Sequence, residues 1–492
     1  VAEINPSLTQ GSLLTTSMGS SPMVLHVGDT LYFNANDGVK GSEIWAHDTS
    51  NHSTWRVTDI NSGSGSSNPG LRMMKSIGTT LYFDAYEGSE GTELWAHDTS
   101  NGSTWRVTAI NGGLADSAVG LYMAYVVGDV LYFSANDGIT GHEVWAHNTS
   151  NLSTWRVADI FNGASSSNPG TNQLFVGDTI FFDANDGVTG RELWAHDTSN
   201  HTTWKVIDLN SGSSNPGQHL FTSVGTTVYF SADDGITGNE LWAYDTSNLS
   251  TWQVIDINGA SSSNPGNYMH HIVRDIVYFS ANDGNSGIEL WAYDTSNLST
   301  WQVSDINGAS SSNPGMYMSL NVGDSLYFSA SDGSTGTELW AHDTSNLSTW
   351  KAADFTNLIQ GGTPGRYMHN LVDDTLYFSV DYPSSGIHAY QPAQINVQTN
   401  TGGAVTTWAI NASLPSGLTF GVNNGTIYGT PTELWTQTSY LVWANNSADS
   451  QSAYLNITII DQVPVLSYSP ENFILTKGQS SSDLPLAPTL TG

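Results

Sequence analysis

The residues of this chain with the plainest chemical use are asparagines. Twelve stand two places before a Ser or Thr with no Pro between, the triplet whose side-chain amide can accept a glycan. Seven recur at nearly even spacing, at Asn51, Asn101, Asn151, Asn200, Asn248, Asn297 and Asn346, mostly within the string DTSN-x-S/T. The third copy reads NTSN, which makes Asn148 a further acceptor. Asn411, Asn424, Asn445 and Asn456 follow in a different context. Asn also suits a left-handed turn position and Ser/Thr a strand start, so one duplicated turn would give seven matches by itself. The density of acceptors in the unrelated downstream region tips the reading to N-glycosylation. That requires export through a route such as archaea and eukaryotes possess.

Carboxylates form the second recurring set. An Asp-Gly pair is followed by a Glu: Asp37 and Glu43, Asp137 and Glu143, Asp186 and Glu192, Asp234 and Glu240, Asp283 and Glu289, Asp332 and Glu338, with Glu87 and Glu93 in the second copy. Oxygen ligands along a Gly-rich loop could hold Ca²⁺. Asp-Gly is also the ordinary hairpin dipeptide, and the loop lacks the multi-carboxylate spacing of a calcium motif, so the structural reading ranks ahead. A later Asp (Asp59, Asp159, Asp208, Asp256, Asp305, Asp354, with Glu3) reads as a repeated hydrogen-bonding device. His47, His97, His147, His196 and His342 share one position with Tyr244, Tyr293 and Tyr390. A metal ligand does not exchange with Tyr, so this is a packed aromatic position. The non-repeated candidates, Arg274, His270, His271, Arg366 and His388, form no triad or dyad. The sequence therefore predicts no enzyme, no catalytic residue and no cofactor.

These residues are carried by a unit of about 49 residues that recurs up to about residue 390. A typical copy, residues 303–351, holds the apolar runs MYMSLNV, SLYFSAS and TELWAHDT and the start of STWKAADF, separated by Gly, Asp, Asn and Ser. Four short strands per unit is the signature of a propeller blade. The second-strand motif (Leu31-Tyr32-Phe33 in the first copy) occurs eight times, the fourth-strand Trp only seven, from Trp55 to Trp350. The opening VAEIN matches the fourth-strand endings VADI and VIDI. An all-β, eight-bladed propeller over residues 1–392, closed by the N-terminal strand on the last blade, is the expectation. Strand alternation places the VGD and DTSN turns on one face and the NDGxxG hairpins and SSNPG connections on the other.

Composition narrows the partners. With 45 acidic and 12 basic residues the formal charge is −33, which disfavours nucleic acid and anionic membrane. The absence of cysteine removes disulfides and thiolate metal sites. No apolar run approaches the roughly 20 residues of a membrane span, so no membrane insertion is expected. Val1 falls within a strand and is no initiator Met, which suggests a processed, exported chain.

From about residue 393 short strands alternate with Gly/Pro/Asn turns, typical of a sandwich over residues 393–462. The stretches LPSGL (414–418), GTIYGTP (425–431) and WANN (443–446) resemble the Ig-like, cadherin-like modules of microbial surface proteins. The ELWAHDTSN core likewise resembles the ELW-type repeats of large secreted microbial proteins, marine archaeal ones especially. Both resemblances imply a secreted or cell-surface setting and no reaction. Such modules begin with a strand of the type YSPxxFxLTKG. Here that strand is missing at the front and appears instead in residues 463–492, including Tyr468, Phe473, Ile474 and Leu475, followed by Leu484 and Leu486. The expectation is a donor strand that completes the sandwich of the next copy, so that the chain's main partner is itself in a head-to-tail homopolymer. A fragment of a longer protein ranks level, and a tail folded onto its own module ranks behind. The leading functional expectation is a non-enzymatic, N-glycosylated subunit of an extracellular filament or coat. The alternative is an adhesin or lectin-like protein binding carbohydrate or Ca²⁺ on its Asp-Gly loop face.

Overall fold

A computed structural model describes Ile4, residues 24–355 apart from 90 and 113–114, residues 362–390 apart from 373–374 and 382–385, and residues 405–459 apart from 423–424, 426, 430–432 and 447–449, together with 465–467 and 489–491. Within these the chain is all-β. Seven four-stranded antiparallel sheets follow one another, and an eighth has three strands: His369–Val372, Thr375–Val380 and Gly386–Tyr390. Repeated sheets of this kind make a β-propeller-like fold. The pairing expected for residues 1–5 lies outside the described residues.

The strands form where aromatic and β-branched residues alternate over a half-buried pleat. In the seventh sheet they are Ser319–Val322, Ser325–Ser331, Thr337–Asp343 and Ser348–Ala353. The first is shorter than the run MYMSLNV suggests, for a definite reason. The N–H groups of Tyr317 and Met318 donate to the Ser329 hydroxyl, at 3.0 and 3.3 Å, rather than to a neighbouring strand.

Within the first six sheets each packs on the next. Leu94 and Ala96 of the second sheet meet Leu131, Phe133 and Ala135 of the third, and Leu241 and Ala243 of the fifth meet Val277, Phe279 and Ala281 of the sixth. The second-strand Phe is fully buried at Phe83, Phe133, Phe182, Phe230 and Phe279, each contributing roughly 1.5–3 kcal/mol. The half-buried Trp95, Trp145, Trp194, Trp242 and Trp291 pack against these same inter-sheet clusters. A register shift immediately before each of those tryptophans marks a bulge that tightens the local twist.

The downstream strands Thr407–Ile410, Trp435–Asn445 and Ser450–Ile459 form one sheet, and Leu418–Phe420 with Ile427–Gly429 a second. Ile427, Tyr440 and Ile457 centre the core they share. In the tail, Val465–Ser467 pairs antiparallel with Thr489–Thr491, and neither strand joins those two sheets among the described residues. Tyr468, Phe473, Ile474, Leu475, Leu484 and Leu486 lie outside the described residues.

Candidate functional site

The seven repeated acceptor asparagines all stand exposed at the tips of hairpins between third and fourth strands. Each tip is closed by a left-handed residue, with φ near +60° at His52, Leu152, His201, Leu249, Leu298 and Leu347 and +74° at Gly102. In the second tip the Asn101 side-chain oxygen accepts the N–H of Ser103 at 2.9 Å, while its Nδ2 donates to Asp98 at 2.7 Å. The hydroxyl and N–H of Ser100 hold the Asp98 carboxyl below the ordinary carboxylate range. The same pattern recurs at Asn51, Asn200, Asn248, Asn297 and Asn346. Downstream, Asn411 is exposed and Asn445 half-buried, Asn424 lies outside the described residues, and the Asn456 backbone lies in a strand. The VGD turn sits beside this tip, since the Thr99 N–H reaches the Thr79 carbonyl and Thr149 that of Asp129.

On the opposite loops, the Asp-Gly carboxylate is used within its own repeat. Asp186 accepts N–H bonds from Val188 and Thr189 at 2.9 and 2.8 Å and pairs with Lys205 at 3.2 Å. Burial alone would raise its pKa, but these donors bring it down to about 2. Asp37, Asp137 and Asp332 pair likewise with Arg56, Arg156 and Lys351. The later Asp59, Asp159, Asp208 and Asp354 close on the same cations, so they act as ion-pair partners.

The repeated Glu is a buried latch. Glu192 is fully enclosed and accepts from the Leu209 N–H at 3.3 Å, the Ser214 N–H at 3.1 Å and the Ser214 hydroxyl at 2.6 Å. It thereby ties the end of the fourth strand to the connection leading into the next sheet. Glu143, Glu240 and Glu289 make the same three bonds to Ile160 and Ser167, Ile257 and Ser263, and Ile306 and Ser312. Desolvation raises Glu93, Glu192 and Glu338 to about 7 against the opposing hydrogen bonds. The sequence reading assigned this Glu no partner across the repeat. The accompanying Ser of SSNPG was the signal that it reaches across the repeat.

The third-strand histidines are packed aromatics, as expected. His196 Nδ1 lies 2.9 Å from the Thr203 hydroxyl, and its ring lies 5.3 Å from Tyr132 of the preceding sheet. Burial drives its pKa down to about 4. The non-repeated residues are dispersed. His270 and His271 lie on the first strand of the sixth sheet, and Arg274 takes the left-handed turn position that glycine holds elsewhere. In the eighth repeat Arg366 pairs with Asp381 at 3.2 Å, and His388 lies opposite Phe378.

Sequence reading missed a separate asymmetric cluster. Arg72 grips Asp116 through two bonds of 3.0 and 2.9 Å, linking the start of the second sheet to the connection before the third. It also lies near the fully buried Asp84, whose pKa burial raises to about 6. Arg72, Lys75, Tyr122 and Gln173 help to line a pocket of about 270 Å³. The signal was an exception to the repeat: Asp84 and Asp183 stand where most copies carry Ser, as in Ser134 and Ser231.

A family model described as "Putative Ig domain" matches residues 371–460, spanning strands of the eighth sheet as well as those of the downstream sheets. No curated protein sequence matches the chain. Among solved structures, a prolyl endopeptidase is 10% identical with a TM-score of 0.39, over 87% of this chain and 54% of that one. A puromycin hydrolase is 11% identical with a TM-score of 0.35, over 74% and 58%. Oligopeptidase B from Leishmania major is 10% identical with a TM-score of 0.38, over 73% and 52%. The chain thus spans little more than half the length of these solved chains. These likenesses correct one expectation. Several of the similar structures are peptidases, which stands against the expectation of a non-enzyme. At such identities and scores they transfer no reaction to it.

Proposed function

We propose that this chain is an exported, N-glycosylated structural subunit of a surface filament or coat. In this reading ELW-type repeats build an eight-bladed propeller over residues 1–392, an Ig-like connector covers 393–462, and residues 463–492 add as a donor strand to the next copy. The observation that carries it is the set of seven exposed Asn side chains on hairpin tips. A glycan at each tip extends from the end of its sheet and leaves the packed faces untouched. The eighth sheet has three strands among the described residues, and this supports closure by the opening VAEIN, because a fourth strand there would cover an edge. Val465–Ser467 and Thr489–Thr491, which among the described residues pair with each other and not with the downstream sheets, support a tail available to a second copy. Such donation need not close on itself and so extends into a fibre.

Electron microscopy of native material tests the assembly: regular beads on a string are expected, and single particles at every concentration overturn it. Intact mass tests the sugar, since a mass equal to the bare chain removes it. The pocket beside Arg72 and Tyr122 favours a second reading, an adhesin that binds carbohydrate, at a site lined by no Asp-Gly hairpin residue. Saturable binding to immobilised glycans by a preparation that never forms beads would decide for it. A calcium titration that leaves the melting temperature unchanged counts against a metal role.

A further inference from the structure

Among the seven repeated tips, the third differs in a way that bears on the transfer chemistry itself. In the other six, the acceptor Nδ2 donates to an Asp carboxylate three residues earlier, at 2.6–2.8 Å. In the third, that position is Asn148, which offers an amide rather than a carboxylate. Its oxygen accepts the N–H of Ser150 at 2.9 Å and of Asn151 at 3.2 Å. The Asn151 oxygen accepts the N–H and hydroxyl of Ser153 at 3.0 and 2.6 Å. The nearby Asp129 is engaged by the Ser150 hydroxyl at 2.8 Å. The turn is kept, and the restraint on the acceptor nitrogen is gone.

We propose that the third tip, bearing Asn148 and Asn151 in tandem, is the preferred glycan-acceptor turn of the repeats, the Asp of the other six tips acting as a brake on transfer. The proposal rests on the glycosylation reading above. In the transfer, Nδ2 forms a bond to the anomeric carbon of a sugar carried on a lipid phosphate. The bond from that carbon to the phosphate oxygen breaks, the phosphate leaves with the electron pair, and the Nδ2 proton passes to a base of the transferase. Nδ2 must turn out of its turn geometry to reach the donor. An amide held by a carboxylate pays for a broken charge-assisted hydrogen bond first, whereas Asn148 and Asn151 do not. The carboxylate also repels the anionic donor, and its replacement by Asn removes that charge.

The experiment is site-by-site glycan occupancy, measured by glycopeptide mass spectrometry on the full chain produced in an N-glycosylating host. Occupancy at Asn148 or Asn151 about threefold or more above that at Asn101, Asn200 and Asn248 is the expected result. Asn148→Asp should bring Asn151 down to the level of the other tips. This variant rebuilds the turn found six times already, so misfolding cannot explain the drop. Asp98→Ala should raise Asn101, provided its circular dichroism matches the parent. Equal occupancy at all seven tips, or an unchanged Asn151 in Asn148→Asp, overturns the proposal and leaves glycosylation standing. No glycan anywhere overturns both.

Discussion

In the fourth repeat the third strand carries His196 and the fourth strand Lys205; in the fifth the same positions carry Tyr244 and Gln253. The ring contacts to the preceding sheet are nearly alike, 5.3 Å from His196 to Tyr132 and 5.8 Å from Tyr244 to Phe181. Lys205 donates to the Thr189 hydroxyl at 2.9 Å, and Gln253 donates to the Thr237 hydroxyl at the same distance. What Lys205 adds is two carboxylate contacts, to Asp186 and Asp208, each at 3.2 Å. The sixth repeat sides with the fifth, pairing Tyr293 with Tyr229 and Gln302 with Ser286. Ring shape and the hydroxyl bond are therefore the shared requirement, and the charge is an addition. Titratable residues that exchange with neutral ones at fixed geometry serve the scaffold.

The comparison can be broken most forcefully at the core, which should be indifferent to it. Phe182→Ala in the fourth repeat and Phe230→Ala in the fifth should each cost about 3–5 kcal/mol in denaturant unfolding. Two losses that differ by more than about 1 kcal/mol would show that the repeats are not equivalent scaffolds.

Two proton-linked effects come next, similar in size and opposite in sign. His196 has its pKa lowered from 6.5 to about 4 in the folded chain, so acid favours the unfolded state. Its stabilisation is complete above 6.5 and is lost as pH falls towards 4, by up to about 3 kcal/mol. His196→Tyr, the fifth repeat's solution, should flatten melting temperature against pH in that window; an unchanged slope refutes the assignment. Glu192 is raised from 4.5 to about 7, so its contribution is fully present below 4.5 and is lost as pH rises through 7. Glu192→Gln should remove that alkaline-side loss, and a variant that still weakens in parallel with the parent would place the titration elsewhere. The smallest effect belongs to the cation. Lys205→Gln should change stability by less than about 1 kcal/mol, with the difference shrinking in high salt.

The repeated sheets were legible because strand alternation and turn residues recur with each unit, and repetition averages away local ambiguity. The His/Tyr exchange was legible for the same reason. The Glu latch was not, because its partners lie 17 and 22 to 24 residues away, across a connection that pattern alone does not fold. The Arg72–Asp116 pair, 44 residues apart, escaped for the converse reason: attention to what recurs hides the position that departs. The short first strands follow from a side chain, Ser329 or its equivalents, taking bonds that a ladder would have used.

The latch has a mechanical corollary. Glu93, Glu143, Glu192, Glu240 and Glu289 each grip both the end of their own outer strand and the connector beyond it, so slack cannot be drawn from those sheets without releasing a carboxylate. Under tension along the chain, extension would then come in whole-repeat jumps. With about 49 residues per unit, each jump would lengthen the chain by roughly 160 Å less the folded span, a sawtooth that single-molecule pulling resolves directly.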